Sequence, residues 1–324
     1  MAIHVARILE PSALMLALAV VADLGFGDPV YRWHPVRLIG GSLRAVERAL
    51  RRIGADGYGG GIALFVILAA VWVGGVSLLL SAFDERVPAV AVALHLFVLY
   101  SLLAFGDLLR HVWRIEAAVR RGDLTAARVA VSHLVGRDTA LMDEAACRRA
   151  AVESLSENLV DGFTSALFWY AAGGLPFLVL FKVVSTMDSM VGYRTTLYIR
   201  FGWCGARLDD AMSFIPARVT WLVIAAVAAV LPGYSGLKAL RIGLAQHARL
   251  PGPNSGWSEA ATAGALARRL VGPIWLRGQQ VTDTWIGDSS DPPLATASDV
   301  GRALTLATGA AVTATVAACA ISIQ

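Results

Sequence analysis

The chain has 324 residues, of which 56% are hydrophobic and 16% charged, against about 25% charged residues in an average globular protein. So few charged residues cannot cover two soluble domains, and the same figures exclude intrinsic disorder, collagen and a disulfide scaffold. The net charge of +4 comes without a long basic run, which argues against a nucleic-acid-binding protein, and the three cysteines lack the spacing of a zinc site.

Long uncharged runs predict helices that cross a membrane. Residues 62–82 and 87–106 are uncharged throughout, and residues 303–323 belong to an uncharged run that continues to Gln324. A helix needs about 20 apolar residues to cross roughly 30 Å of hydrocarbon. Residues 8–27 are a weaker candidate, because Glu10 and Asp23 lie near its ends. We keep them as a predicted span, because they lack the basic start and the cleavage site of a signal peptide.

Two further apolar runs are ambiguous. Residues 163–181 are interrupted by Gly-Gly-Leu-Pro at 173–176, and residues 219–237 contain Pro232 and Gly233. Such breaks are typical of re-entrant or discontinuous helices, which persist at membrane depth where protein covers the freed backbone. We therefore predict an all-α polytopic membrane bundle. It forms a single integral membrane domain, 1–324, with four firm spans, or six if both ambiguous runs cross.

Basic residues are concentrated in segments 28–61, 107–162 and 238–302. The positive-inside rule predicts that these segments are cytosolic and that the N-terminus is outside. Segment 182–218 carries five basic residues. It is inside if neither ambiguous run crosses and outside if both cross, and its charge favours the inside.

Three acidic residues precede the first ambiguous run at helical spacing. Glu153, Glu157 and Asp161 are four residues apart and share one face of a predicted helix. Like charges at this spacing destabilise a helix by a few tenths of a kcal/mol per pair. They indicate a site for Mg²⁺, or an arginine cluster at a phosphate site. The alternative is a solvated face paired with arginines such as Arg149.

Further ionisable residues follow the run. Lys182 and Asp188 lie in an otherwise apolar stretch, where charged groups are costly and are therefore functional candidates. The alternative is that Lys182 reaches the interface and Asp188 caps a helix. Asp209 and Asp210 are adjacent beside Arg207. Adjacent acids point to different sides of a helix, so a shared metal would need a loop or a helix end.

Residues 251–259 (PGPNSGWSE) are turn residues that lead into a predicted helix. Asn254 or Ser255 would cap this helix, with Glu259 in its early turns. Helix N-termini bind anions through free backbone N–H groups, and a plain capped helix is the alternative. The sequence has no P-loop pattern, no GxGxxG and no HExxH. Among the scattered histidines His34, next to Pro35, is singled out, although a histidine beside proline is more often structural.

Several motifs together carry a resemblance to a known family. They are residues 27–29 (GDP), 34–40 (HPVRLIG), 153–162 (ESLSENLVDG), 186–194 (TMDSMVGYR), 201–218 (FGWCGARLDDAMSFIPAR), 253–266 (PNSGWSEAATAGAL) and 299–304 (DVGRAL). Over nearly the whole chain the sequence resembles the CobD/CbiB family of cobalamin-biosynthesis membrane proteins, the adenosylcobinamide-phosphate synthases. It departs from the family pattern at Ser185 and Thr196.

The resemblance implies a ligase that uses ATP and Mg²⁺ to join adenosylcobyric acid, a corrinoid, to aminopropanol or its O-phosphate by an amide bond. The corrinoid carboxyl group would be activated as an acyl phosphate, and an unprotonated amine would attack it. We expect a multi-pass protein of the cytoplasmic (inner) membrane, in contact with lipid and not nucleic acid, with its active site facing the cytosol. Formation of a homo-oligomer is left open.

On this interpretation the candidate residues receive roles. Catalytic roles are expected for Glu157, Asp161, Asp188 and Lys182, with Glu157 or Asp161 as the base. Metal binding is expected for Glu153, Asp209 and Asp210. Substrate or phosphate binding is expected for His34, Arg37, Arg194, Arg207, Asn254 and Glu259.

The alternative is a membrane transporter or a non-catalytic membrane subunit of a corrinoid or cobalt pathway. A transporter would carry its ionisable residues inside the spans. Here they cluster at span ends and in predicted cytosolic loops, which favours an enzyme.

Overall fold

The structure, a computed structural model, describes residues 8–27 and 31–323, which are mostly helical. In chain order the elements are α1 (Ala13–Phe26), α2 (Pro35–Arg52), α3 (Tyr58–Ala69), a π-helical turn (Ala70–Gly74), α4 (Gly75–Arg86), α5 (Pro88–Ser101), α6 (Phe105–Arg120), α7 (Leu124–Ser132), α8 (Glu144–Asn158), a second π-helical turn (Leu159–Thr164), α9 (Ser165–Val191), α10 (Trp203–Met212), α11 (Phe214–Val230), α12 (Gly236–Gln246), a 3₁₀ turn (His247–Arg249), α13 (Ser255–Leu266), β1 (Leu270–Leu276), β2 (Gln279–Ile286) and α14 (Ala297–Ile321).

The predicted all-α polytopic class is confirmed. Within the described part of the chain, five helical stretches are long and apolar enough to cross a membrane: Tyr58–Arg86, Pro88–Arg120, Glu144–Val191, Trp203–Val230 and Ala297–Ile321. They overlap three of the four firm spans and both ambiguous runs. The remaining span, 8–27, corresponds to α1, which has 14 residues and is shorter than the about 20 residues that a span needs. The number of spans, four or six, stays a prediction.

The chain divides into two compact units. The first contains the described residues up to Ala104, Ser165–Ser213 and those from Thr315 onward, and the second contains Phe105–Thr164 and Phe214–Ala314. Whether they form the single integral membrane domain predicted above stays a prediction.

The core of the first unit joins α2, α3 and α9. Side chains of this core are almost completely buried, among them Leu43 of α2, Leu68 of α3, and Val183 and Met187 of α9. Phe201, in the turn before α10, closes the same cluster. Because α3 and α9 belong to stretches that can cross a membrane, close packing of the side chains, and not their removal from water, stabilises this core.

Helix α9 is broken where its sequence predicts a break. Gly173 and Gly174 have non-helical dihedral angles, and Gly174 has a left-handed φ of 67°. A Cβ atom at Gly174 would lie 1.9 Å from the carbonyl oxygen of Leu9. The freed N–H of Leu175 donates to that same oxygen at 3.1 Å. The N-terminal segment thus satisfies the broken backbone, as an interruption in an apolar helix requires.

The second unit contains a buried ionic network. Glu116 of α6 is 1% exposed and accepts hydrogen bonds from Arg120 and, across the unit, from Arg148 of α8. Arg148 also donates to the carbonyl oxygen of Ala295. A carboxylate this deeply buried is stable only with such partners. The network therefore ties α6 and α8 to the segment that precedes α14.

A β-hairpin in the second unit was not predicted from the sequence. Strands β1 and β2 pair antiparallel, with an irregularity between Ile274 and Trp275. The turn residues Arg277 and Gly278 both have positive φ, 53° and 76°. Positive φ at two central residues is the geometry of a two-residue hairpin turn that matches the twist of its strands. The turn lacks the usual Asn-Gly signal, which explains why the hairpin was missed.

Candidate functional site

Helix α8 supplies two of the predicted acidic residues in the second unit. It is capped by Asp143, whose side chain accepts a hydrogen bond from the N–H of Ala146 at 2.7 Å. Glu153 is buried and Glu157 is exposed. Asp161 follows in the π-helical turn, which interrupts the regular α-helical spacing on which the predicted shared face depended.

A cavity of about 460 Å³ opens beside these residues. Its walls combine acidic, basic and apolar side chains from α8, the segment before it, the N-terminal end of α13 and the hairpin. The lining residues are Leu134, Val135, Gly136, Arg137, Glu153, Ser154, Glu157, Leu250, Pro251, Ser255, Glu259, Val271, Ile274, Leu276 and Val281. We call this space the acidic cavity.

Glu153 uses both carboxylate oxygens for contacts within the protein. One oxygen forms an ion pair with Arg137, and the other accepts a hydrogen bond from the N–H of Val271 at 3.0 Å. Arg149 donates to the carbonyl oxygen of Val271 at 3.3 Å. The first part of β1 is therefore held by side chains of α8. These contacts favour a positioning role for Glu153 over the predicted metal-binding role, which stays a prediction.

Glu259 is the most deeply buried acid of the acidic cavity, at 5% exposure. It lies in the second turn of α13, and no hydrogen bond or close ion pair reaches its carboxylate from the other described residues. Burial raises the pKa of the Glu259 carboxyl well above its ordinary value. Glu153 and Glu157, and more weakly Asp161, raise this pKa further, while Arg137 opposes them. The site can therefore hold a proton at a carboxyl group, or stabilise a bound cation.

The start of α13 lies where the sequence predicts it. Asn254 occupies the N-cap position, but its side chain makes no capping hydrogen bond. Its amide oxygen instead accepts a hydrogen bond from Arg218 of α11 at 3.0 Å. Gly256 is required here, because a Cβ atom would lie 1.9 Å from the carbonyl oxygen of His247.

The other predicted acids lie in the first unit. Asp209 interacts electrostatically with Asp188, Asp210 and the buried Lys182, and Asp188 also interacts with Asp210. Asp209 and Asp210 lie in the last turn of α10, close to its C-terminal end. The structure thus brings together the two motifs of α9 and α10, which are separated along the chain.

A second cavity, of about 360 Å³, adjoins these acids. Arg194 and Arg207 line it together with Asp210 and the aromatic side chains of Tyr193, Tyr198 and Trp203. Arg207 lies 3.3 Å from Asp210. Two guanidinium groups and several aromatic rings can bind a phosphate-bearing molecule. We call this space the arginine cavity.

The remaining candidates lie at the start of α2 in the first unit. His34 occupies the N-cap position and is 4% exposed, and its ring contacts that of Tyr31 edge to face. Arg37, in the first turn, is exposed. Asp28 and Pro29, from the first family motif, lie outside the described residues.

The carboxylates fit a magnesium site of one kind. Across residues 8–27 and 31–323, no group of three or more His, Cys, Asp or Glu side chains is arranged to hold a metal ion. Mg²⁺ in phosphate-transferring enzymes is usually held by one or two carboxylates and by the substrate phosphates. One or two of the carboxylates of Asp188, Asp209 and Asp210 fit that shared arrangement, and Asp210 lines the arginine cavity.

A family model described as CobD/Cbib protein matches residues 16–307. The chain belongs to the CobD/CbiB family. Among curated relatives, the cobalamin biosynthesis protein CbiB of Salmonella typhimurium is 38% identical over 281 residues, covering 85% of this chain and 87% of the relative. The cobalamin biosynthesis protein CobD of a Sinorhizobium species is 37% identical over 311 residues, covering 93% and 95%. The protein of the same name from Pelobacter propionicus is 40% identical over 281 residues, covering 86% of each chain.

The family resemblance inferred from the motifs is therefore confirmed, and it places the chain in a family of cobalamin biosynthesis. No solved structure shows significant similarity to the chain. Sequence reasoning missed two parts of this family member's acidic cavity, Arg137 and the hairpin. Arg137 is one of eight arginines between residues 107 and 162, and nothing in the spacing distinguishes it from the others.

Proposed function

We propose that this protein is an ATP-dependent amide ligase that joins adenosylcobyric acid to aminopropanol or its O-phosphate. Membership of the CobD/CbiB family supports the pathway. The observation that carries the reaction type is Glu259, a buried carboxyl with a raised pKa, beside Glu157 in the acidic cavity. Amide formation needs an unprotonated amine, and a carboxylate whose pKa is raised towards neutrality is a stronger base for the proton of an ammonium than an ordinary carboxylate.

The residues of the two cavities suit different parts of the reaction. In the acidic cavity, Glu157 is the proposed base, with Asp161 as the alternative nearby. In the arginine cavity, Arg194 and Arg207 bind phosphate groups of ATP through paired N–H donors. When bound, Mg²⁺ supplies positive charge at those phosphates, and one or two of the carboxylates of Asp188, Asp209 and Asp210 are its proposed ligands.

The balance of the reaction follows from its chemistry. The corrinoid carboxylate takes the terminal phosphoryl group from ATP, with ADP as the leaving group, and the amine nitrogen then attacks the carbonyl carbon. The bond between the carbonyl carbon and the phosphate oxygen breaks and inorganic phosphate leaves. The nitrogen, which arrives as an ammonium, loses two of its three protons, to the base and to solvent, and keeps the third in the amide. The protein lowers the barrier by placing positive charge where phosphate charge develops.

We also propose that the protein is a multi-pass protein of the cytoplasmic membrane, with its active site facing the cytosol. The clustering of arginines in segments 28–61, 107–162 and 238–302 supports this orientation. Single cysteines at Arg200 and Ser255 test it, in a background lacking the native cysteines. Neither should react with an impermeant thiol reagent in intact cells. Reaction of Arg200→Cys from the periplasm would contradict the four-span orientation and restore six spans.

The reaction itself is tested with the purified full-length protein in detergent. Mass spectrometry of mixtures containing adenosylcobyric acid, ATP, Mg²⁺ and each amine in turn should show an ATP-dependent amide product. ATP consumption should require both other substrates. Intact substrates together with no ATP use would instead support a transporter or a non-catalytic subunit, which the five long apolar helices also fit.

A further inference from the structure

The charges in the acidic cavity do not balance. Three carboxyl groups line it, those of Glu153, Glu157 and Glu259, and Arg137 is the basic side chain among the lining residues. Arg137 forms its ion pair with Glu153. Glu157 and Glu259 therefore share the cavity without a positive partner of their own among the described residues.

Glu259 shows that this imbalance belongs to a ligand site and not to a solvated surface. Its side chain is 5% exposed, it lines the cavity, and no hydrogen bond reaches its carboxylate from the described part of the chain. An ionised carboxylate in such a place is costly unless a cation or a hydrogen-bond donor accompanies it. Asp161 adds further negative potential at Glu259. A bound cation offsets both effects.

Part of the lining of the acidic cavity is apolar. Ile274, Leu276 and Val281 of the hairpin contribute to it, together with Leu250 and Pro251 before α13. The volume of about 460 Å³ lies in the lower half of the usual range for small-molecule sites, about 300–1,000 Å³. A small organic cation with an aliphatic part matches this combination better than a hydrated metal ion.

We propose that the acidic cavity binds a primary ammonium compound, with the ammonium group between Glu157 and Glu259 and the aliphatic part against the hairpin. The inference rests on the ligase function proposed above, for which it names the amine subsite. An ammonium donates three N–H groups, which matches two carboxylates and one further acceptor. Glu259 is then a binding residue for the amine and not a contact for phosphate.

Binding of the amine alone tests the proposal, in the absence of ATP and corrinoid. The probe is 1-aminopropan-2-ol, titrated calorimetrically into the full-length protein in detergent. Glu259→Gln and Glu157→Gln should each weaken binding at least about tenfold, because an amide cannot ionise to pair with the ammonium group. Glu144→Gln is the matched control, since Glu144 lies on the same helix as Glu157 with its side chain 55% exposed and outside the cavity.

Two further ligands show separately how much the ammonium charge and the methyl group contribute to binding. Propane-1,2-diol, which lacks the ammonium, should not bind measurably. Ethanolamine, which lacks one methyl group, should bind about fourfold more weakly than 1-aminopropan-2-ol, the usual effect of one buried CH₂. Leu276→Ser, at an exposed hairpin position, should reduce that difference. Thermal melting of every variant shows whether it is folded.

Unchanged affinity in folded Glu259→Gln and Glu157→Gln variants, or equal binding of the diol, would overturn the proposal. These results are distinguishable from failure of the ligase function. If the wild-type protein forms the amide, but Glu259→Gln and Glu157→Gln bind the amine with wild-type affinity, the amine subsite is refuted and the ligase function is not. If amine binding depends on both glutamates, but the wild-type protein forms no amide from the complete mixture, the ligase function is refuted and the amine subsite is not.

Discussion

Glu153 and Val271, 118 residues apart in the sequence, are joined by a hydrogen bond of 3.0 Å from the Val271 N–H to the Glu153 carboxylate. Val271 has a left-handed φ of 69°, which is rare and costly for a β-branched residue. Glu153 thus holds β1 in a strained conformation at the wall of the acidic cavity. The strain is stabilised by a buried side chain that is also paired with Arg137.

This hydrogen bond predicts that Glu153 stabilises the fold around the acidic cavity and does not bind the metal ion. Glu153→Gln keeps an oxygen for the Val271 N–H but leaves Arg137 without its charge partner. We expect a loss of about 3 kcal/mol in the free energy of unfolding, because breaking a buried ion pair strands the remaining charge. Thermal melting in detergent measures it, and the Mg²⁺ concentration for half-maximal activity should not change. A wild-type melting temperature with a tenfold higher Mg²⁺ requirement would make Glu153 a metal ligand.

The raised pKa of Glu259 predicts how stability depends on pH. Above the ordinary carboxyl value of 4.5, the unfolded chain loses this proton first while the folded protein keeps it. Stability therefore falls as pH rises, until the folded carboxyl ionises too. Glu259→Gln cannot ionise, so its melting temperature should fall less than that of the wild type between about pH 5 and about pH 8. Melting curves parallel to those of the wild type would show that Glu259 is ionised throughout, and Glu144→Gln is the control.

The arginine cavity predicts a difference between arginine and lysine. Arg194→Lys keeps the positive charge but loses the paired N–H donors that match a phosphate group. We expect the KM for ATP to rise about tenfold or more, with little change in the KM for the amine. Arg200→Lys is the control, because Arg200 is exposed in the same segment and does not line the cavity. Normal turnover of Arg194→Lys at limiting ATP would remove Arg194 from the phosphate site.

The acids of the first unit predict a loss of activity without a loss of folding. Asp188→Asn removes one of the negative charges that act on Asp209. Amide formation should fall below detection, while the melting temperature without Mg²⁺ stays the same or rises because repulsion is relieved. Asp56→Asn, at an exposed position of the same unit, should be silent in both measurements. An active but poorly folded Asp188→Asn protein would identify Asp188 as a structural partner of neighbouring basic residues.

The same test applies in the second unit. Glu157→Gln and Asp161→Asn should also abolish amide formation in a folded protein. Asp161 and Asp188 belong to different units, so the variants of the two units are measured separately.

Hydropathy and local turn chemistry predicted much of the fold. The apolar runs coincide with long helices, and the break in α9 is at the predicted Gly173 and Gly174. Both the apolar runs and the glycine pair are local features of the sequence. In particular, glycine permits the left-handed backbone wherever it occurs. Asn254 occupies the predicted N-cap position of α13 but makes no capping hydrogen bond, and its amide oxygen accepts a hydrogen bond from the distant Arg218.

The candidate site was predictable in its residue types but not in its partners. The acids and arginines were identified from motifs, whereas Arg137 and Val271 became visible only through their contacts with Glu153. Such pairs form between distant parts of the chain, and the periodicity of the sequence does not predict them. The balance between Arg137 and three glutamates, from which the amine subsite is inferred, depends on that packing.

The most direct test of the proposed reaction follows the carboxyl oxygens of adenosylcobyric acid. The substrate is labelled with ¹⁸O in the reacting carboxyl group and incubated with the purified protein, ATP, Mg²⁺ and the amine. If the carboxylate is activated by phosphoryl transfer, one labelled oxygen should appear in inorganic phosphate for each amide formed, and the other should remain in the amide. An amide formed with unlabelled phosphate, label in AMP, or no amide at all would contradict the account.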